Sequence, residues 1–339
     1  MSSGSPLPEQ FDKYSILGHL ATGGMAEVYL ARQGGLEGFE KIVVIKRVRP
    51  DLMGDREVTS SFLDEARLVA TLQHPNIAQV YEVGFVSDSY FLVMEYVHGA
   101  DLRQVMQRAT ELKRPISLAN ALHVVAQVCE GIHYAHEKRD LRGRPLEIVH
   151  RDITPSNVLI SHDGAVKVCD FGVAKATNKS TETARGVLKG KYSYMSPEQC
   201  RGQALDRRSD IFSLGIVLYE LTTLTKLFTG ESDFERLRKI VDGEVPRPAS
   251  RVKHYPRELE AIVLRALAKD PAQRYQTARG LQVALDEFAR DLRLIQSSAS
   301  IQTVMNDLFD DRLEPWLAAQ KQGKQLGDFL VDTSVRSEP

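Results

Sequence analysis

Three oxygen-bearing side chains stand at the ends of two short apolar segments near the middle of the chain. Asp152 and Asn157 come before the first segment, and Asp170 follows the second. Asp163-Gly164 lies between the segments and is a strong hairpin signal, so folding would bring the three side chains to one edge. Carboxylate and amide oxygens suit hard cations such as Mg²⁺ and the phosphates that these cations carry. Taken alone, the pattern also fits an ordinary hairpin with polar ends.

The N-terminal third of the chain supplies a second set of polar residues on strand-like segments. Alternating patterns predict strands over 14–20, 27–32 and 42–48, and the first two are joined by the glycine-rich turn L-A-T-G-G-M-A-E-V. Lys46 lies on the third strand, in V-V-I-K. A helical period over 62–72 then carries Glu65, nineteen residues after Lys46.

The order of these features resembles that of protein kinases. His150-Arg151-Asp152, with Asn157 five residues past the aspartate, and then Asp170-Phe171-Gly172 match the H-R-D-x-x-x-x-N and D-F-G patterns. The glycine-rich turn precedes them, and M-S-P-E follows them. The resemblance covers about Tyr14 to Leu294 and is to bacterial, eukaryotic-like (Hanks-type) serine/threonine protein kinases, most like the myxobacterial branch.

The resemblance implies an α+β, two-lobe protein kinase fold. A small β-rich N-lobe with one main helix would span 14–94, followed by a hinge at 95–99 and a larger, mostly helical C-lobe over 100–294. Residues 1–13 are expected to be a disordered leader. Residues 295–339 lie outside the resemblance and are expected to form a partly helical tail.

The resemblance also implies ATP-dependent phosphoryl transfer to the hydroxyl groups of protein substrates. Asp170 and Asn157 would hold Mg²⁺, with Mn²⁺ as the alternative ion. Lys46, fixed by Glu65, would hold the ATP phosphates, and Asp152 would accept or orient the hydroxyl proton. The nucleotide site implied in this way comprises Leu20, Ala21, Gly23, Gly24, Val28, Val44, Lys46, Met94 as gatekeeper, Glu95, Val97, Asp101 near the ribose, and Leu159.

Two departures from the family pattern bear on function. Ala21 and Ala26 stand where the glycine-rich loop usually has glycine, and a φ above zero would be disfavoured at both. Thr154 stands where serine/threonine kinases have a lysine, and Lys191 stands where they have a threonine. The exchange predicts that Lys191 contacts Asp152 from the activation loop, with Thr154 as its hydrogen-bond neighbour.

Two segments are expected to regulate the chain or to bind partners. An arginine before the catalytic aspartate usually needs an anionic partner, which predicts autophosphorylation at Ser180, Thr181 or Thr183. In the tail, Leu313, Trp316 and Leu317 are spaced to share one helix face. Residues 301–330 are therefore expected to dock on the C-lobe or on a partner.

Composition limits the other possibilities. The net charge of −1 gives no indication of a nucleic-acid partner, and three cysteines in 339 residues fit a reducing cytoplasm. No apolar run is long enough to predict a membrane span. Cys129, His133 and His136 share a helix face and could be taken for metal ligands, although packing explains them better.

Two related classes remain as alternatives. A pseudokinase would keep the fold and lose a catalytic group, whereas Lys46, Glu65, Asp152, Asn157 and Asp170 are all present. A small-molecule kinase of related fold would lack the long loop ending in Y-M-S-P-E and the later arginine, Arg274. This chain has both features.

Overall fold

The computed structural model describes residues 10–35, 39–172, 191–324 and 326–335, with side chains throughout except at 191, 312–316 and 331–335. The described residues form a β-rich N-lobe and a helical C-lobe, which confirms the predicted two-lobe fold. None of the described helices combines the length and the apolar content that crossing a membrane requires.

The N-lobe is built on one antiparallel sheet of described strands in the order β1-β2-β3-β4-β6-β5. The paired residues Val28 and Lys46 place the lysine directly across from the strand that follows the glycine-rich turn. Helix α1 begins after Asp55, whose carboxylate accepts hydrogen bonds from the first-turn amides. The elements are β1 Gln10–Phe11, β2 Tyr14–Thr22, β3 Ala26–Gly34, β4 Glu40–Val48, α1 Arg56–Val69, β5 Val80–Val86 and β6 Ser89–Glu95.

The C-lobe is organised around helix α5, which is buried along nearly its whole length. Such a helix has no polar face because neighbouring elements cover it on every side. Ser117 caps the start of α3, and its side chain accepts a hydrogen bond from the Asn120 backbone amide. The elements are β7 Gly99–Asp101, α2 Leu102–Glu111, α3 Leu118–His136, β8 Val158–Ser161, β9 Val166–Val168, α4 Pro197–Arg201, α5 Arg207–Thr223, α6 Asp233–Val241, α7 Arg257–Ala266, α8 Ala278–Asp291, α9 Ser298–Lys321 and α10 Leu326–Val335.

A short backbone bridge joins the lobes behind the cleft. The Val168 amide donates to the Asn76 carbonyl, and Val168 in turn accepts from the Ala78 amide, both at 2.9 Å. The Asn76 side chain also donates to the Val166 carbonyl at 2.9 Å. Strand β9, which leads to Asp170, is therefore fixed to the segment that precedes β5.

The boundary of the predicted leader needs correction. Gln10 and Phe11 form β1 and pair with β2, so the ordered N-lobe begins before Tyr14. Phe11 is buried against Phe91, with ring centroids 5.0 Å apart, and this packing holds a two-residue strand that is too short to show a pattern. Residues 1–9 of the predicted leader lie outside the described residues.

The tail is partly helical, as predicted, and is part of the folded body. Helix α9 consists of two helical stretches that meet at a kink, where Phe309 leaves helical geometry. The expected docking on the C-lobe is confirmed, because Ile301, Met305, Leu308 and Phe309 are buried in the C-lobe core. Leu317 is 42% exposed, and the side chains of Leu313 and Trp316 lie outside the described part, so the contact of this face with a partner stays a prediction.

Candidate active site

Lys46 lies between two carboxylates at the back of the cleft. Its Nζ atom is 2.9 Å from Oε1 of Glu65 and 3.1 Å from Oδ1 of Asp170. Burial disfavours the ammonium charge, but Asp170 and Glu65 outweigh burial and raise the pKa of Lys46 well above its ordinary value. The lysine is therefore a fixed cation that links β4, α1 and the end of the β8–β9 hairpin.

The catalytic loop brings Asp152 and Asn157 together. The Asn157 amide nitrogen donates to the Asp152 carbonyl at 2.8 Å and to its carboxylate at 3.1 Å. The Cys169 backbone amide donates to the Asn157 carbonyl at 3.0 Å, which places Asp170 beside the same loop. The predicted edge of carboxylate and amide groups is thus assembled by the β8–β9 hairpin.

A buried aspartate fixes the catalytic loop from below. The carboxylate of Asp210 accepts from the backbone amides of His150 at 2.8 Å and Arg151 at 2.9 Å, and from the ring of His136 at 2.7 Å. Burial would raise the pKa of Asp210, but the hydrogen bond and charge of His136, with those of His150, hold it below its ordinary value. His136 is therefore a partner of Asp210, and this contact explains its place on the Cys129–His133 face.

The backbone is constrained at both ends of this site. Arg151 has φ of +66° and Asp170 has φ of +57°, in a region that non-glycine residues seldom adopt. Such conformations persist only where the surroundings hold them, and they cluster at functional sites. Here Asp210 holds Arg151 by its amide, and Lys46 holds Asp170 by its carboxylate.

The glycine-rich turn tolerates its alanines because they lie on the flanking strands, where the register of β2 is irregular between His19 and Ala21. Ala21 and Ala26 are strand residues, and neither has a positive φ. The Gly23 amide donates to the Ala26 carbonyl at 2.8 Å and closes the turn. The strain expected at these two alanines is therefore absent. Leu20, Ala21 and Gly23 are exposed at the tip.

Two residues of the predicted nucleotide site, Glu95 and Asp101, make side-chain contacts within the protein. The Glu95 side chain pairs with Lys167 at 3.1 Å and accepts from the Gln79 amide at 3.1 Å. Asp101 caps helix α2, accepting from the Gln104 amide at 2.8 Å. The contacts of Glu95 and Asp101 with adenine and ribose stay predictions, as do the nucleotide contacts of the other residues predicted for this site. Six of those other residues are partly exposed: Gly24, Val28, Val44, Met94, Val97 and Leu159.

A cavity lies behind the gatekeeper position. Met94 contributes to its wall together with Glu65, Val69, Phe171 and Cys169. Val69 of α1 and Phe171, which follows β9, belong to one buried apolar cluster. Burial raises the pKa of the Cys169 thiol well above its ordinary value, so this cysteine stays a neutral lining residue.

The ion pair that the kinase resemblance implies between Arg274 and Glu198 of the M-S-P-E motif is present and buried. Arg274 meets Glu198 through two hydrogen bonds of 2.7 and 2.9 Å, and Ser209 donates a third bond to the same carboxylate at 2.7 Å. Gln199, one residue on, donates from its side chain to the Arg151 carbonyl at 2.8 Å. Gln199 lies outside the kinase motifs named above, although it completes a capping box with Ser196 at the start of α4. It also ties α4 to the catalytic loop.

Several predictions concern groups that the described part does not reach. Thr154 is buried, and its carbonyl accepts from the Asn157 amide at 3.0 Å. The Lys191 side chain is not among the described side chains, so its contact with Asp152 and Thr154 stays a prediction. Ser180, Thr181 and Thr183 lie outside the described residues.

The donor set fits a magnesium ion that is shared with phosphate. Asp170 keeps 41% of its side chain exposed, and its Oδ1 atom lies 3.1 Å from Nζ of Lys46. Because the Asn157 amide nitrogen is bonded to Asp152, its amide oxygen is the atom left to face a cation. Mg²⁺ usually takes one or two protein oxygens together with substrate phosphates.

Comparisons with known proteins agree with this geometry. The protein kinase domain family matches residues 14–285. The chain is 44% identical over 283 residues to the tyrosine-protein kinase MasK of Myxococcus xanthus, covering 84% of this chain and 44% of MasK. It is 38% identical over 290 residues to the serine/threonine-protein kinase PrkC of Bacillus subtilis, covering 86% of this chain and 42% of PrkC. A third relative, the serine/threonine-protein kinase PknB of Mycobacterium leprae, is 38% identical over 283 residues, covering 82% of this chain and 43% of PknB.

The solved structures lead to the same family. The crystal structure of the Mycobacterium tuberculosis PknI kinase domain matches with a TM-score of 0.61 at 25% identity, covering 85% of this chain and 99% of PknI's. The chain spans less than half the length of MasK, PrkC and PknB. The chain belongs to the protein kinase family and is of the bacterial Hanks type, as its motifs predicted.

Proposed function

We propose that the chain is an ATP-dependent serine/threonine protein kinase that acts in bacterial signal transduction. The observation that carries the proposal is the cation of Lys46 held between Glu65 and Asp170, next to the Asp152–Asn157 pair. A pseudokinase would be expected to lack one of these groups. Their assembly at one cleft favours catalysis.

Each residue of the cleft has a positioning or proton-handling role in this reaction. Lys46 would hold the α and β phosphates, and its two carboxylate partners would fix its direction. Asp152 would accept or orient the proton of the acceptor hydroxyl, with Asn157 holding the carboxylate in place. Asp170 and Asn157 would hold Mg²⁺ or Mn²⁺, which supplies neutralisation of phosphate charge when bound. The protein thus contributes mainly geometry and charge.

The acceptor residue is the finer part of the proposal. PrkC and PknB are named serine/threonine kinases, whereas MasK is named a tyrosine kinase. The test is phosphoamino-acid analysis after reaction with γ-labelled ATP and an acceptor protein that carries serine, threonine and tyrosine. Label on phosphoserine and phosphothreonine supports the proposal. Label confined to phosphotyrosine favours the second candidate, a tyrosine kinase.

Autophosphorylation of the activation loop is expected as part of this function. Arg151 precedes the catalytic aspartate, and a phosphate group adds nearly two negative charges and strong acceptors that can order a loop against arginine. Mass spectrometry of the active chain should find phosphate on Ser180, Thr181 or Thr183. The Asp152→Asn variant, made in the same way, should lack it. Active wild-type protein with none of the three modified would contradict this expectation.

A further inference from the structure

The tail begins as an integral part of the C-lobe. Ile301, Met305, Leu308 and Phe309 on α9 are each at most 2% exposed within the C-lobe core. Polar contacts fix the same segment, because Ser300 donates to the Asn120 side chain at 2.7 Å. Burial of four apolar side chains makes this half of α9 a firm anchor.

The anchored helix starts against the hairpin that carries the active site. Gly164, in the β8–β9 turn, has φ of +83°, and a Cβ atom there would lie 2.0 Å from the Ser298 carbonyl. Only glycine permits so close an approach in this conformation. At the other end of the anchor the helix kinks at Phe309, and Arg108 of α2 pairs with Asp311 at 2.7 Å.

The tail then reaches the N-lobe through α10. Gly327 is buried, and a Cβ atom built on it would lie 2.9 Å from Cδ1 of Ile42, 3.5 Å from Cδ of Arg32 and 3.8 Å from Cδ1 of Leu17. The next residue, Asp328, pairs with Arg32 at 3.1 Å. The backbone of α10 therefore lies directly on strands β2, β3 and β4.

The face that α10 covers is the one that carries the nucleotide residues. Side chains two residues apart on a strand share a face, so Ile42, Val44 and Lys46 lie on the same side of the sheet. Ile42 and Lys46 are separated by roughly 13 Å at about 3.3 Å per residue. Ile42 is also next to Val43, whose partner on β6 is Glu95, at the start of the hinge.

We propose that α9 and α10 form a strap between the lobes and that α10 is the hinge-side wall of the ATP cleft. Gly327 and Asp328 are its positioning residues, since they fix the wall to Ile42 and Arg32. The proposal rests on the ATP site of the proposed function. The C-lobe anchor and the N-lobe contact together would hold the sheet at the spacing that a nucleotide needs.

The strap should act on nucleotide binding more than on the chemical step. Its N-lobe contact lies at the far end of the strands from Lys46, so it touches neither Asp152 nor the transferring phosphate. A contact that contributes equally to the ground and transition states changes KM and leaves kcat near its starting value. A change in KM without a change in kcat therefore distinguishes a wall of the nucleotide site from a catalytic element.

The test uses Gly327→Leu and Asp328→Lys in the full chain. The matched control, Gln320→Leu, adds the same side chain at an exposed position of α9. Leucine favours a helix more than glycine does, so Gly327→Leu should keep α10 helical while displacing it from Ile42. The readouts are the Kd for MgADP by calorimetry, and KM for ATP and kcat.

Gly327→Leu is expected to raise the MgADP Kd and the KM for ATP by roughly three- to tenfold, where tenfold corresponds to about 1.4 kcal/mol. Asp328→Lys should act in the same direction by a smaller factor, because exposed ion pairs contribute little. If Gly327→Leu does not fold, the affinities of Asp328→Lys test the proposal. Affinities equal to the Gln320→Leu control, tighter binding, or a fall in kcat alone would overturn the proposal. MgADP binding needs no protein substrate. The test of the strap therefore holds even if the chain proves not to phosphorylate serine or threonine.

Discussion

Replacing Lys46 by methionine should lower kcat/KM for ATP by ~10²–10³-fold, because one fixed charge is removed from the site that holds the phosphates. Methionine keeps the length and the apolar stem of the side chain but not the ammonium group. Glu65 and Asp170 would then face each other without the cation that now lies 2.9 and 3.1 Å from them. Steady-state kinetics with varied ATP measures the loss.

The matched control for this variant is Lys41→Met on the same strand. Lys41 lies over the Tyr81 ring, 3.4 Å from its centroid, and is an odd number of residues from Lys46, so its side chain points to the other face of the sheet. Its removal should leave the rate near that of the wild type. A Lys46→Met variant as active as the Lys41→Met control would contradict the assigned role of Lys46.

The second large effect concerns the exchanged pair of Thr154 and Lys191. If Lys191 supplies the charge next to Asp152, then Lys191→Thr should lower turnover by ~10²–10³-fold with little change in ATP affinity. The double exchange, Lys191→Thr with Thr154→Lys, should recover part of the loss, because the ammonium group returns from the catalytic loop. The cycle of two single variants and the double variant measures this coupling.

An exposed lysine on the protein surface provides the control for this cycle. Lys253 is exposed, so Lys253→Thr removes the same charge from the surface. Full activity of Lys191→Thr would refute the exchange. A double variant no better than the sum of the single variants would refute it too. If the coupling is found, activity depends on the activation loop being ordered, because the loop carries the charge.

The proposed catalytic residues could be identified because each lies in a short local pattern that resembles a kinase motif. Asp152 and Asn157 share one loop, and the hairpin signal at Asp163-Gly164 brings Asp170 back beside them. The pairing of Lys46 with Glu65 spans nineteen residues and needs only one strand followed by one helix. Local order and spacing, matched to the kinase motifs, were sufficient to identify all five residues, and their catalytic roles stay a proposal.

Some contacts between distant segments could not be predicted from local patterns. The helical period of α3 placed His136 on a face with Cys129, but its partner Asp210 is 74 residues away in the chain. The two-residue strand β1 is defined only by its pairing with β2 and by the packing of Phe11.

The tail shows why periodicity alone does not identify a docking face. Ile301, Met305 and Leu308 repeat at helical spacing, and so do Leu313, Trp316 and Leu317. The first set is buried in the C-lobe, and the second includes an exposed leucine. Which of two apolar stripes faces the body depends on the surface that it meets. That surface is built by α2, α3 and β8, far from the tail in sequence.

The most direct measurement is the rate of phosphate transfer from γ-labelled ATP to protein by the wild type and by Asp152→Asn, with MgADP affinity measured on both. The account predicts transfer to serine and threonine by the wild type, and a rate lower by ~10²–10⁴-fold in the variant, because a positioned proton acceptor is lost. Nucleotide affinity should be nearly equal in the two proteins. No transfer by a wild-type chain that binds MgADP, or equal transfer by both proteins, would contradict it.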